Sequence, residues 1–297
     1  MLFGNLQGRL VVAAADGAVV DVERASDGRF GPDPQSVYAA WDAFVAWAAS
    51  ADLSAEAGSQ PLDPAHLDVP VPGPRQVFAV ALNYPEHAAE AEMAKPDSPL
   101  IFTKFPTCLV GADAEVALPG EMVDWEVEVV LVIGKEGHGV APEDAWDHVA
   151  GVTVGQDLSA RDVQRRGPAP QFSLGKSFPG FGPIGPWVAT LDEVADRDAI
   201  PLSCELNGER VQGGTTAEMI FSVPELIAYV SGICTLLPGD LLFTGTPAGV
   251  GARRTPPRFL RPGDELVSRV EGVGEIVQRF VAGPEEQIDA KAMAKGA

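Results

Sequence analysis

The run from Trp125 to Gly134 constrains this chain more than any other. Val127, Val129, Val130, Leu131, Val132 and Ile133 read as a buried strand, yet Glu126 and Glu128 interrupt it. Side chains alternate faces along a strand, so the two carboxylates share a face with Val130 and Val132, and their bases lie roughly 6.6 Å apart. At an effective dielectric near 20 the repulsion between two anions at that spacing is about 2.5 kcal/mol, and desolvating each carboxylate adds to it. Two arrangements answer the conflict. Either the strand lies at an edge with its outer face wet, or a divalent cation sits between the carboxylates and removes both penalties.

Composition narrows the setting. A chain of 297 residues with 46% hydrophobic content can bury a large core. No apolar run reaches membrane-spanning length, and the Leu10–Val20 stretch, broken by Asp16, lacks a cleavage pattern. A soluble protein with no membrane partner is expected. Cys108, Cys204 and Cys234 are odd in number and far apart, which argues against a disulfide framework or a zinc knuckle and for the reducing cytoplasm. With 42 acidic against 21 basic residues the formal charge is −21, which repels a polyphosphate backbone, so no nucleic-acid partner is expected.

Along the chain, Arg9–Ala14 and Ala18–Val22 read as a strand pair turning at Asp16-Gly17. A helix is expected next, capped by Ser36 and carrying Val37, Trp41, Phe44, Val45 and Ala48 on one stripe. Five prolines between Gln60 and Pro74 mark a connector. We expect a small N-terminal α+β subdomain over 1–72 and a main domain over 73–297. Beyond the connector, Val77–Leu82, Leu100–Lys104, Glu126–Ile133, Leu202–Leu206 and Leu241–Thr244 are β-prone, and Asn207-Gly208 is a hairpin turn. Pro238-Gly239-Asp240 and Pro262-Gly263-Asp264 each introduce a strand. Ser222-Val223-Pro224-Glu225 is a capping box that starts a helix. The class is α+β, predominantly β.

Two motifs are excluded by their surroundings. Gly175-Lys176-Ser177 has Pro170 where a phosphate-binding loop needs glycine, and Gly245, Gly249 and Gly251 lack the spacing of a dinucleotide fingerprint. Other residues carry chemistry more directly. His87 and Glu90, three apart, fall side by side on a helical turn, so the carboxylate can orient the imidazole as a base; a solvated pair has the same spacing. Asp157 opens Asp-Leu-Ser-Ala-Arg-Asp-Val-Gln as a ligand or a helix cap. Lys176 stands among apolar residues and glycines, where a buried ammonium needs an anionic partner, unless it lies on a surface loop.

In this order, Asn83-Tyr84 with His87 and Glu90, Asp124-Trp125-Glu126-Val127-Glu128, Asp157 with Ser159-Ala160-Arg161-Asp162, Gly175-Lys176-Ser177-Phe178, Asn207-Gly208, Ile220-Phe221-Ser222 and Thr244–Gly251 resemble the fumarylacetoacetate hydrolase family. The resemblance covers about Gln76 to Phe280. It implies a mixed β-sandwich roll that forms at least a homodimer. It also implies that Glu126, Glu128 and Asp157 bind Mg²⁺ or Mn²⁺ and that His87 and Glu90 form a dyad on a lid that orders with substrate. Lys176 then steadies a developing enolate, and Tyr84, Arg161, Gln164 and Thr246 match positions that contact substrate.

The implied activity is metal-dependent hydrolysis of a C–C bond in a 2,4-dioxo acid of acylpyruvate type, with pyruvate leaving as an enolate. Oxaloacetate decarboxylation or isomerisation of a hydroxymuconate-type diacid would use the same enolate, and the substrate is in each case a small dicarboxylate or 2-oxo acid. A catalytically silent binding protein would have lost a ligand or the dyad. None is lost here.

Overall fold

A computed structural model describes residues 1–14, 17–51, 53, 60–62 and 66–284. The N-terminal region forms β1 (Leu2–Leu6), β2 (Arg9–Ala13), β3 (Ala18–Asp21), the short helix α1 (Val22–Ala25), a 3₁₀ segment (Pro34–Ala40) leading into α2 (Trp41–Ala48), and the two short strands β4 (Gln60–Pro61) and β5 (Leu67–Asp68). Asp16 of the expected turn, and Pro64 of the connector, lie outside the described residues. The expected Ser36 cap is corrected. Asp33 caps the 3₁₀ segment by accepting from the Gln35 amide at 3.0 Å, with Pro34 in the first turn, and Ser36 instead donates to the Asp33 carbonyl at 2.7 Å. Val45 leaves the apolar stripe, being 38% exposed, while Val37, Tyr38, Trp41 and Phe44 are buried.

The rest of the chain adds β6 (Val77–Ala81), α3 (Pro85–Glu90), β7 (Leu100–Thr103), β8 (Leu109–Val110), β9 (Asp113–Leu118), β10 (Val123–Asp124), β11 (Val127–Ile133), β12 (Val149–Gln156) and β13 (Ser159–Ala160). Two short helices, α4 (Arg161–Gln164) and α5 (Phe172–Gly175), precede β14 (Gly182–Ala189), β15 (Pro201–Leu206) and β16 (Glu209–Thr215). Helix α6 (Val223–Ser231), β17 (Leu241–Phe243), β18 (Glu265–Val270) and β19 (Gly274–Ala282) complete it. The Asn207-Gly208 turn joins β15 to β16 with φ of 53° and 79°, the left-handed pair that a two-residue hairpin requires. The Ser222–Glu225 capping box forms as read.

A twelve-stranded sheet runs β4-β3-β2-β1-β14-β12-β11-β17-β6-β7, with β5 on β1 and β8 on β14. It crosses the expected boundary near residue 72, because β1 pairs with β14. A five-stranded sheet, β16-β15-β18-β19-β9, packs against one of its faces. Between them, Val127, Val129, Leu131 and Ile133 of β11 meet Leu202, Cys204, Leu266 and Ile276. The opposite face of β11, through Val130 and Val132, packs with Tyr38, Trp41 and Phe44. β11 is therefore a central strand, and the edge-strand answer to Glu126 and Glu128 is excluded. Among the described residues no helix is long and apolar enough to cross a membrane.

Candidate active site

The carboxylates meet because of strand register. β11 and β12 are antiparallel with Val127 opposite Gln156, so the residue before one strand and the residue after the other fall together, and the Asp157 amide donates to the Glu126 carbonyl at 2.9 Å. Ligand atoms of Glu126, Glu128 and Asp157 all lie within 4.8 Å of one another, and all three residues are buried. Two buried glutamines fix the segment that carries them. Gln156 accepts from the Glu126 amide at 2.9 Å and Gln212 from the Val127 amide at 3.0 Å.

Charge around the triad is nearly, but not fully, compensated. Lys176 Nζ donates to Glu126 Oε2 at 2.6 Å and to Asp157 Oδ2 at 2.5 Å. Lys104 Nζ donates to Asp157 Oδ1 at 2.7 Å and to the carbonyls of Lys176 and Phe181. Arg161 Nη2 donates to Glu126 Oε1 and to Asp124 Oδ2, both at 2.7 Å. Glu128 accepts from the Gly245 amide at 2.7 Å and forms no ion pair among the described residues. Burial opposes the charge on Glu126, but Lys176, Arg161 and His87 outweigh it and hold its carboxyl well below the usual range. Burial, then the negative charges of Asp157 and Glu126, pushes Glu128 well above it. Burial alone would lower the Lys176 ammonium, yet Asp157 and Glu126 raise it.

This is the arrangement that a hard cation fits. The donors are all oxygen, and the carboxylate without a cationic partner is the one whose charge a divalent ion would stabilise. Glu126, Glu128 and Asp157 would hold it.

His87 and Glu90 occupy α3, where Nδ1 lies 2.7 Å from Glu90 Oε1. Glu90 Oε2 accepts from the Gly249 amide at 3.0 Å. Gly249 has φ 109°, and a β-carbon there would come within 2.2 Å of the Val211 carbonyl, so no other residue fits that contact. An ionised carboxylate only accepts, so Nδ1 is the nitrogen that donates to Glu90, and in the neutral imidazole the lone pair is then on Nε2. His87, Glu126, Glu128 and Lys176 line one cavity of about 330 Å³, at the small end of the usual range for ligand sites.

The four expected substrate contacts divide. Gln164 and Thr246 line the cavity, although the Thr246 hydroxyl already donates to Val127 and accepts from Gln212. Arg161 lines it too, with its guanidinium committed to Asp124, Glu126 and Gln164. Tyr84 is buried and does not line this cavity, and its hydroxyl has no hydrogen-bond partner among the described residues; burial first, and then the charge of Glu128, push its phenol up. The Asp157 cap reading also goes, since no side chain caps α4.

Lys104 and Asp124 belong to the site as well, beyond the residues that the sequence singles out. Lys104 ends the apolar run Leu100–Thr103 and precedes Phe105-Pro106, the same signal that singled out Lys176. Asp124 accepts from the amides of Gly251 and Ala252 at 2.7 and 3.0 Å besides binding Arg161. The contacts with Gly251 and Ala252 span more than a hundred residues and leave no local trace.

A family model described as fumarylacetoacetate hydrolase, C-terminal, matches residues 76–281. The chain belongs to that family. It is 46% identical over 214 residues to the human mitochondrial oxaloacetate tautomerase FAHD2A, covering 71% of this chain and 68% of that one. A crystal structure from Mycobacterium smegmatis matches with a TM-score of 0.90 at 52% identity, over 96% of this chain and 100% of that chain. Maleylpyruvate hydrolase from Sphingobium sp. SYK-6, solved with manganese(II) and pyruvate, matches with a TM-score of 0.72 at 27% identity, over 96% and 100%. The family's enzymes include tautomerases and hydrolases, this chain shares their fold, and its buried acidic triad is one that could bind a metal ion.

Proposed function

We propose that the protein interconverts the keto and enol forms of a small 2-oxo diacid of oxaloacetate type, using Mg²⁺ or Mn²⁺ at Glu126, Glu128 and Asp157. This departs from hydrolysis, the activity expected first from the sequence. The observation that carries it is a base and an ammonium on one small cavity: His87, oriented by Glu90, and Lys176, held between Glu126 and Asp157. The 46% identity to a protein named oxaloacetate tautomerase supports the same substrate class.

When bound, the cation supplies electrophilic polarisation of the 2-oxo group and anchors the adjacent carboxylate. His87 Nε2 takes a proton from C3, and the C–H electron pair becomes the C2=C3 bond. The electrons of the C=O π bond move to the oxygen, which takes a proton from the Lys176 ammonium. Glu90 stabilises the imidazolium that forms. After the enol leaves, the His87 imidazolium gives its proton to water and Lys176 takes one back from water, which restores both groups for the next turnover; the reverse sequence converts enol to keto. The apolar wall formed by Val80, Phe102 and Val250 limits water at C3.

Hydrolysis of an acylpyruvate is the second reading, favoured by the match to a maleylpyruvate hydrolase. In it His87 would take its proton from water instead of carbon. The test is a comparison of kcat/KM for enol-oxaloacetate, followed by loss of its ultraviolet absorbance, with that for acylpyruvate cleavage in Mn²⁺-loaded protein. Faster oxaloacetate interconversion is expected. Efficient acylpyruvate cleavage with no acceleration of tautomerisation would replace the first reading by the second.

A further inference from the structure

The inner end of the cavity is crowded with paired charges; its rim is not. Arg165 and Arg253 both line the cavity, both are exposed, and neither guanidinium has a hydrogen bond or ion pair among the described residues. Exposed arginines elsewhere are divided, Arg166 pairing with Asp162 and Arg279 with Asp113 while Arg24 and Arg210 form no ion pair among the described residues, so what singles out Arg165 and Arg253 is their place on the cavity. Two such guanidiniums at the rim of one cavity form an anion-receptive feature.

Their supports are rigid and shared. Arg165 directly follows α4, whose first residue, Arg161, is tied to Asp124 by bonds of 2.9 and 2.7 Å. Arg253 ends the 3₁₀ turn Gly251–Arg253, whose Gly251 and Ala252 amides donate to the same Asp124 carboxylate at 2.7 and 3.0 Å. One fully buried carboxylate thus fixes the bases of both arginines relative to the metal-binding triad. Pre-set geometry of this kind lowers the ordering cost of binding.

We infer that Arg165 and Arg253 bind the distal carboxylate of the substrate and select diacids over monoacids. The inference rests on the proposed reaction for the other end of the substrate, where the 1-carboxylate and 2-oxo group would face the cation held by the triad. The guanidinium fork suits a carboxylate, and the remaining rim residues, among them Met93, Pro170 and Phe172, offer it no hydrogen-bonding side chain. Asp124 acts here as a positioning residue.

The test separates the two ends of the ligand. Calorimetry on Mn²⁺-loaded protein compares malate, which has a distal carboxylate, with oxalate, which engages only the triad. Arg165→Ala and Arg253→Ala should each weaken malate by about tenfold and oxalate by less than about twofold, with Arg253→Lys recovering part of the loss. In parallel, each alanine variant should raise KM for oxaloacetate at nearly constant kcat and leave its 4-methyl ester unaffected. Equal weakening of malate and oxalate, unchanged malate affinity in both variants, or no malate binding to the wild type would overturn the inference. If malate selectivity depends on the arginines while the wild type does not accelerate tautomerisation, the clamp stands and the reaction reading falls.

Discussion

Two ends of one face of β11 meet opposite surroundings. At the C-terminal end Val130 and Val132 pack with Tyr38, Trp41 and Phe44, and the face is ordinary core. At the N-terminal end, on the same face, Glu126 and Glu128 are also buried, but against Lys176, Arg161 and a cavity. One end contributes stability by removing apolar surface from water. The other holds like charges together, which costs stability, and it persists because the apolar end and the flanking glutamines keep the strand from moving. A rigid strand converts surplus packing energy into a fixed cluster of carboxylates.

The largest effect expected from breaking this contrast is at the charged end. Glu126→Gln keeps the shape but removes the anion shared by Lys176 and Arg161, so metal affinity should collapse and kcat/KM fall roughly 10³-fold, the scale for losing a preorganised electrostatic group. Isothermal titration with Mn²⁺ and steady-state kinetics measure the two. Retention of full activity in this variant would remove the triad from the reaction.

Next comes the dyad, which belongs to neither end of the strand. His87→Ala should lower kcat about 10²-fold while Mn²⁺ and oxalate still bind, because the base acts on a proton and does not hold the cation. Parallel loss of oxalate binding would show that His87 supports the site instead of the chemistry. At the apolar end, Val132→Ala should cost about 2 kcal/mol of unfolding free energy through lost burial and a cavity, with kcat unchanged for the folded fraction. Urea unfolding gives the first number; a drop in kcat as well would mean that the two ends are not separable.

How much of this was legible from sequence follows the range of each interaction. The period-two placement of Glu126 and Glu128, the Asn207-Gly208 hairpin and the Ser222 capping box are local signals; the hairpin and the box form as read, and Glu128 lies within β11 with Glu126 directly before it. The cap before α2 was misplaced because Ser36 is a plausible local acceptor, whereas Asp33 precedes a proline and starts a 3₁₀ segment first. β1 went unread because Gly4 and Asn5 weaken its β character; Gly4 is there because a β-carbon would meet the Trp187 ring at 2.8 Å. Lys104 reads locally as the end of the β-prone run Leu100–Lys104, because its anionic partner Asp157 lies 53 residues away. The continuity of the large sheet through β1 and β14 joins residues about 185 positions apart, Phe3 with Val188 among them, and no local pattern announces such a pairing.

The smallest expected effect is the most specific to the contrast, because it turns the charged end into something like the apolar one. Glu128 has the Gly245 amide but no cation, and burial with its anionic neighbours raises its carboxyl well above the usual value. In metal-free protein the folded state therefore binds a proton at Glu128 over a pH range in which the unfolded chain has already released it. Stability on this account is full below the unfolded glutamate value near 4.3, declines as pH rises through that window, and is lost once pH passes the raised folded value. Glu128→Gln cannot ionise. Without metal it should therefore melt at a higher temperature than the wild type at pH 8 and show a flatter dependence between pH 5 and 8. With Mn²⁺ the order should reverse, since only the wild type gains stability by binding the ion, and gains more as pH rises and Glu128 releases its proton. Thermal melts of both proteins across that range, with and without Mn²⁺, decide the matter. A Gln variant less stable than the wild type in chelator at pH 8 would mean that the Glu128 carboxylate is not the uncompensated charge of the site.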